Sequence, residues 1–461
     1  MIRTALAVVV GKATRVALTT LGRGATALPG LVTLTVDPDA VARLSDRLAH
    51  GVVCVSGTNG KTTTSRMLAD IVRAAGWAPI HNRSGSNLDR GLAAALLASS
   101  TWSGSPAGDV GIYEVDEASV PRVLARVTPR VVVVTNLFRD QLDRYFEIDA
   151  LARRMGAAIA GLPASTALVL NADDPIVAQL ATGHRGQVIH FGVDDPSVGG
   201  AVPQAISDAT RCPRCREPLA YERVILAHEG VWSCPACGLA RPDRDVAASS
   251  VALGADSSTL RLAGGVQSVI DPVVVPLPGL YNAYNALAAI AAARALGIAT
   301  QTASRAIASF RPAFGRQETV SAAGRTIRLL LVKNPAGFNA AIGALLETGR
   351  RPRLLAALND RDADGRDVSW IWDADFELLA PAVEHAVVTG IRSGDLAVRF
   401  KYAGLEPGRI EVVADGRVAI DRALALTPEG GELVLVATYT AMQDLRAVLA
   451  AMGHVAPFWE D

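Results

Sequence analysis

The chain has 461 residues, half of them apolar, and its 45 basic and 45 acidic side chains cancel to a formal net charge of zero. That length holds two or three domains with buried cores, and the charge balance speaks against a nucleic-acid partner recruited by general basicity. No run approaches the roughly 20 apolar residues of a membrane-spanning helix, so a cytoplasmic protein is expected, with room for peripheral contact at the inner face of the membrane.

Residues 1–48 read as an arm of one or two helical stretches broken at Pro29-Gly30, followed by a short helix from Val41 to Leu48. The apolar run Ala5 to Val10 is followed by Lys12 and Arg15 and lacks a cleavage site, which favours an amphipathic arm over a signal peptide. The stretch that follows organises the chain. A strand, Val52 to Val55, enters the turn Ser56-Gly57-Thr58-Asn59-Gly60-Lys61-Thr62-Thr63 and then a helix running from about Thr62 to Ala75. Gly57 and Gly60 let the backbone turn its N–H groups toward a phosphate, the helix N-terminus adds partial positive charge, and Lys61 reaches the terminal phosphates. Only four lysines occur in the whole chain, and one stands here. ATP is therefore the expected ligand, with Thr62 placed to ligate Mg²⁺.

The polar loop after this helix offers Arg83 and Asn87 as phosphate contacts or as caps. A strand from Asp109 to Val115 ends in Glu114-Val115-Asp116-Glu117, where an α/β nucleotide site keeps its metal ligand. Glu114 is the first candidate and Glu117 the second, the alternative being an ordinary acidic helix start. Further strands at 130–135 and 167–171 alternate with helices, the pattern of a parallel, doubly wound sheet. Cys212-Pro-Arg-Cys215 and Cys234-Pro-Ala-Cys237 then form paired knuckles with zinc-site spacing. Four thiolates leave no open position, so a structural Zn²⁺ within an insertion at 205–245 is expected rather than a pair of disulfides, which a reducing cytosol disfavours. Cys54 reads as a small buried apolar residue.

Asn282 and Asn285, three apart before an alanine-rich helix at 286–296, face one ligand or cap the helix. From about residue 312 a second βα series begins, with strands at 328–332, 354–358, 386–389, 409–413 and 432–437, suggesting a separate Rossmann-like domain. Two of its loops are unusually polar, Lys333-Asn334-Pro335-Ala336-Gly337 and the acid-rich segment 359–373, and loops at strand carboxyl ends are where such folds keep their sites. The second loop, with its tryptophans, reads as functional or as a partner surface rather than as a solvated turn.

Taken together, these residues resemble the Mur ligase superfamily over nearly the whole chain. The resemblance implies an α/β fold with a Mur ligase-like P-loop central domain (49–311), the zinc-ribbon insertion and a C-terminal Rossmann-like domain (312–461). It also implies an ATP site built from Gly57, Thr58, Asn59, Gly60, Lys61, Thr62 and Thr63, with Asn282 at the adenine and Arg316 at the γ-phosphate. Three departures narrow it: only about 48 residues precede the phosphate turn, leaving no domain for a UDP-sugar; Gln141 stands where many members have a metal-binding histidine; and no lysine lies between Lys61 and Lys333 to be carbamylated. These departures, with the four cysteines and Asp364-Gly365-Arg366-Asp367-Val368-Ser369-Trp370-Ile371-Trp372-Asp373, are similar to the MurT family of synthetase subunits. Membership would imply ATP-dependent amidation of the D-glutamate α-carboxylate in the stem peptide of lipid II, for peptidoglycan synthesis. The ammonia would come from a GatD-type glutaminase, bound as a heterodimer or larger complex. Asp360 would complete that partner's Cys-His pair, with Asp364 and Asp367 as weaker candidates. An amino-acid-adding ligase of the Mur or folylpolyglutamate type is the alternative from the same superfamily, and a catalytically inactive zinc-ribbon scaffold is the alternative from another class.

Overall fold

A computed structural model describes residues 2–20, 28–82, 89–138, 148–200, 209–263, 272–311, 316–346 and 351–455. Within them two sheets organise the chain. The first has nine strands, β1 (Val52–Ser56), β2 (Pro79–His81), β3 (Val110–Glu114), β4 (Val131–Val134), β5 (Ala167–Asn171), β6 (Val188–Val193), β9 (Val246–Leu253), β10 (Ser258–Ala263) and β11 (Val273–Val275), in the order β11-β10-β9-β6-β5-β4-β1-β3-β2. Pairing is parallel from β2 to β9, and at the far edge β10 alone is reversed, pairing antiparallel with both β9 and β11. β1, β3, β4 and β5 are buried at every position, as continuous apolar runs are when helices cover both faces. Between β6 and β9 the two strands β7 (Ala220–Leu226) and β8 (Glu229–Ser233) form a separate hairpin sheet flanked by the four cysteines.

The second sheet comprises β12 (Arg316–Ala322), β13 (Arg325–Leu331), β14 (Arg353–Ala357), β15 (His385–Thr389), β16 (Ile410–Val412) and β17 (Glu432–Ala437), ordered β12-β13-β17-β14-β15-β16. The five strands read from the sequence are all present and parallel. A sixth, β12, pairs antiparallel with β13 and was not legible because its polar composition, Arg-Gln-Glu-Thr-Val-Ser-Ala, lacks an apolar run.

The acid-rich segment 359–373 divides between core and surface. Trp370 and Ile371 are buried in the core of the second sheet, whereas Trp372 is half exposed. Arg399, 2% exposed, pins the segment by donating to the carbonyls of Ile371 and Ala374 and bidentately to Glu377, with its guanidinium 5.3 Å from the Trp372 ring and 4.8 Å from the Phe376 ring. Part of what reads as a functional loop is therefore scaffold.

The N-terminal arm differs from expectation in one respect. Pro29-Gly30 does not break a helix; it lies in the first turn of α2 (Leu28–Val36), where a proline costs no hydrogen bond. α1 (Ile2–Thr20), α2, α3 (Ala40–Ser45) and the helix after the phosphate turn, α4 (Lys61–Ala74), precede α5 (Asp89–Ala98), on which α1 and α2 pack. The packing is tight enough that a Cβ on Gly30 would collide with the backbone carbonyl of Arg90, and one on Gly11 with Thr33. Thr4 donates to the fully buried Asp37 at 2.7 Å, and Arg43 holds the same carboxylate at 3.0 Å. Gly30→Val should overpack the α2–α5 crossing by about 1–3 kcal/mol, so hydrogen exchange across residues 2–36 should quicken roughly 5- to 150-fold while exchange in β13–β17 stays as in the parent chain.

Candidate active site

β1 delivers the chain to the phosphate turn at the carboxyl edge of the first sheet. Gly57 and Gly60 have φ of 130° and 84°, conformations that L side chains rarely adopt. Space excludes a side chain as well, since a Cβ on Gly57 would strike Thr135 and one on Gly60 would strike Asn285. The turn is clamped from the β4 side, where Asn136 accepts from Thr58 N through its carbonyl at 2.9 Å and from Asn59 N through Oδ1 at 2.8 Å, and Thr135 Oγ1 donates to Asn59 O at 2.7 Å.

Lys61 opens α4 and is 5% exposed. Its ammonium donates to the carbonyls of Gly57 and Thr58 and forms an ion pair with Glu117 at 3.0 Å, that carboxylate being 1% exposed. Glu117 is thus the partner of Lys61, whereas Glu114 accepts from Thr62 Oγ1 at 2.7 Å. Asn82 fixes the backbone of Glu114 in both directions, accepting from its N–H at 2.8 Å and donating to its carbonyl at 2.9 Å. A hydroxyl beside a carboxylate at a phosphate turn is a hard-oxygen donor set suited to Mg²⁺, and a turn that admits no Cβ suits close approach of a triphosphate. The residues present fit both groups.

Asn282 and Asn285 lie in the first turns of the helix Leu280–Ala295, which begins earlier than its alanine run suggests. Gly279 occupies the N-cap position, so neither asparagine caps the helix. Asn285 instead donates to Asn282 Oδ1 at 3.2 Å, and Asn282 donates to Pro278 O at 2.8 Å. Both line an open cleft of about 940 Å³, solvent included, between the two sheets. Asn59, Gly60, Thr63 and Asn136 form its phosphate end, and Leu330, Leu331, Ala336 and Gly337 close it from the second sheet. Asn59 and the fully buried Asn334 exchange side-chain hydrogen bonds across it, at 3.2 and 3.5 Å.

Three groups in the cleft have no sequence signature. Gln317 holds φ of 62°, unusual for a residue with a Cβ, at a register shift in β12, and this turns its side chain into the cleft. Its amide donates to Pro278 O at 3.3 Å and to the Tyr281 hydroxyl, while its buried Oε1 has no hydrogen-bond partner among the described residues. Phe138 forms a wall and packs against His228 with ring centroids 4.6 Å apart. Ala227 and Glu229, at the tip of the β7–β8 hairpin, supply the third group. Glu229 is 1% exposed and accepts from Asn171 at 2.9 Å; burial, reinforced by the charges of Asp174 and Asp173, pushes its carboxyl well above the usual range.

At the base of that hairpin Cys212, Cys215, Cys234 and Cys237 bring their sulfurs within 4.8 Å of one another. The pairs 212–237 and 215–234 stand 3.7 and 3.4 Å apart, close to the separation of about 3.8 Å expected of thiolates 2.3 Å from a shared tetrahedral Zn²⁺. Four soft donors in this arrangement fit that ion.

On the second sheet Asp360 follows β14, half-buried, with Arg392 Nε 3.6 Å away. Asp364 is buried and accepts from the N–H and hydroxyl of Thr440, and Asp367 accepts from Ser369 N at 2.8 Å, so both hold local structure. Arg316 opens β12, but its side chain, like Arg83, Asn87 and Gln141, lies outside the described residues.

The Mur ligase middle domain family matches residues 55–210, and the MurT ligase C-terminal family matches 331–442. The lipid II isoglutaminyl synthase (glutamine-hydrolyzing) subunit MurT of Streptococcus pneumoniae is 32% identical over 98% of this chain and 98% of its own length. Among solved structures, MurF from Acinetobacter baumannii superposes with a TM-score of 0.66 at 18% identity, covering 94% of this chain and 81% of that one. The MurF ligase of Thermotoga maritima in complex with ADP does so at 0.62 and 14%, covering 93% and 84%. At such identities the two structures establish a shared fold, and the near full-length relative establishes more: the chain belongs to the MurT family.

Proposed function

We propose that this chain is the ATP-dependent synthetase subunit that amidates the α-carboxylate of D-glutamate in the stem peptide of lipid II, using ammonia from a GatD-type glutaminase. The observation that carries the reading is the pairing of Thr62 with Glu114 beside a glycine turn headed by Lys61, at the mouth of a cleft shared by both sheets. A carboxylate resists amide formation until it carries a leaving group. Transfer of the γ-phosphoryl of ATP to a carboxylate oxygen gives an acyl phosphate; ammonia then attacks the carbonyl carbon, phosphate departs, and the nitrogen sheds a proton.

The work of the chain is positioning and charge compensation. Backbone N–H groups of Gly60 to Thr63 receive the phosphates, those of Thr58 and Asn59 being held by Asn136, and the Lys61 ammonium, held by Glu117, stands at their terminal end with Arg316. Thr62 and Glu114 would hold the magnesium ion, which supplies charge neutralisation on the transferring group. Asn282, with Asn285 behind it, receives the base. The cysteine cluster binds zinc and fixes the β7–β8 hairpin.

Asp360 belongs to the partner's chemistry in this reading. It follows β14, two strands from β13 on the same carboxyl edge that leads to Asn334, a lateral offset on the order of 10 Å. A glutaminase docked there would release ammonia close to the cleft. The enzyme works in the cytoplasm, against the inner face of the membrane that carries its lipid-linked substrate.

Lys61→Met should lower ATP-dependent amidation by about a hundredfold or more with far-ultraviolet circular dichroism unchanged, as followed by stem-peptide mass; retained activity would refute the phosphate-turn assignment. Asp360→Asn should abolish amidation supported by glutamine plus the partner while leaving amidation supported by ammonium intact. Cys212→Ser should reduce bound zinc, measured by plasma emission, from one equivalent per chain, and raise the KM for ATP because the hairpin tip lines the cleft; full zinc retention would show the site to be misassigned.

A further inference from the structure

We propose that the outer face of the α1–α2 hairpin docks on an anionic lipid bilayer. The inference deepens the membrane-peripheral reading above by assigning the surface that makes the contact.

The arm is built inside out for a helix pair bathed only by water. α1 buries Thr4, Ala7, Val8 and Gly11 against its neighbours, and α2 buries Pro29, Gly30 and Thr33. The larger apolar side chains point the other way: Ile2 is 88% exposed, Leu6 55%, Val16 53%, Leu28 48%, Leu31 42% and Val9 39%. Ile2, Leu6, Val9 and Val16 follow the i, i+4, i+7, i+14 spacing of a single helix face. A soluble helix faces its apolar stripe to the core, and a contiguous exposed stripe marks an interaction surface.

Charge selects the occupant. The helices α1 and α2 carry Arg3, Lys12 and Arg15 and no carboxylate, within a chain whose net charge is zero. Arg3 and Lys12 sit about a quarter-turn to either side of the stripe, in the flanking position of cations on a helix lying in a bilayer interface. Trp102, 57% exposed, stands beside α1 with the Lys12 ammonium 5.5 Å from its ring, and tryptophan favours the same interface. Of the acids that follow α2, Asp37 is fully buried against Thr4 and Arg43, and the exposed Asp39 is paired with Arg43 at 3.2 Å. A second protein copy would meet like charge there.

The seating of the arm suits this role. Because backbone touches backbone at Gly30, α2 is fixed on α5, whose first residue, Asp89, comes eight positions after β2 ends at the carboxyl edge of the first sheet. A bilayer under the arm would hold the cleft's own edge near the headgroups.

The full chain should be floated with vesicles of one part phosphatidylglycerol to two parts phosphatidylcholine, and with pure phosphatidylcholine, in about 0.1 M salt. Binding to the anionic vesicles alone or preferentially is expected. Leu6→Asp with Val9→Asp should lower the bound fraction at least about tenfold, and Lys12→Glu by about fivefold or more. Ammonium-dependent amidation of a soluble stem-peptide substrate should be unchanged in each variant, showing the fold intact. Failure of the parent chain to float, or equal binding to neutral vesicles unaffected by Lys12→Glu, overturns the proposal; so does a concentration-dependent dimer in sedimentation that Leu6→Asp abolishes without flotation. Flotation that follows the variants in a chain inactive toward the stem peptide would sustain the docking surface and refute the amidation, and the opposite pair of results would do the reverse.

Discussion

Everything at this site depends on the absence of two side chains. With Cβ atoms excluded at Gly57 and Gly60, Thr135 and Asn136 close on the turn from one side and Asn285 from the other. The turn is therefore held by two separate elements, the end of β4 and the helix Leu280–Ala295, and the N–H groups of Gly60 to Thr63 are aimed before any ligand arrives, which is the condition for electrostatic catalysis without reorganisation. The same constraint sets the register of the helix Leu280–Ala295, whose first asparagines must meet the turn and whose alanines let it lie close against the sheet.

Charge at the turn is arranged in two matched pairs. Lys61 with Glu117, both buried, form a pair that would be costly to leave half-made, and Thr62 with Glu114 form a second, neutral-to-anionic pair. The arrangement separates Glu114, the last residue of β3, from Glu117 by role, Glu117 balancing the cation and Glu114 joined to the hydroxyl. In the sequence they differ only by position, three residues apart.

Legibility followed the range over which each feature is specified. The turn, the thiol knuckles and the parallel strands were readable because glycine, lysine, paired cysteines and apolar runs act within a few residues of themselves. Gln317, Phe138 and Glu229 were not, because a β-bulge, a strand end and a hairpin tip carry them across the molecule to one cleft. Pro29 misled for a different reason: proline ends a helix or begins one equally well, and only the residues packed beneath it decide. The tryptophans of 359–373 were read as one functional set, yet burial divides them, with Trp370 in the core and Trp372 over Arg399.

The hairpin β7–β8 joins two binding problems into one. Its base is the thiol cluster, and its tip carries Ala227 and Glu229 into the cleft. A metal that ordered the base would also order the wall at the tip, and by linkage any ligand of the cleft that favoured the same hairpin arrangement would tighten the metal by the same factor as the metal tightened it. A metal at the base would then act on the cleft through the hairpin alone, without any effector site beyond the ribbon itself.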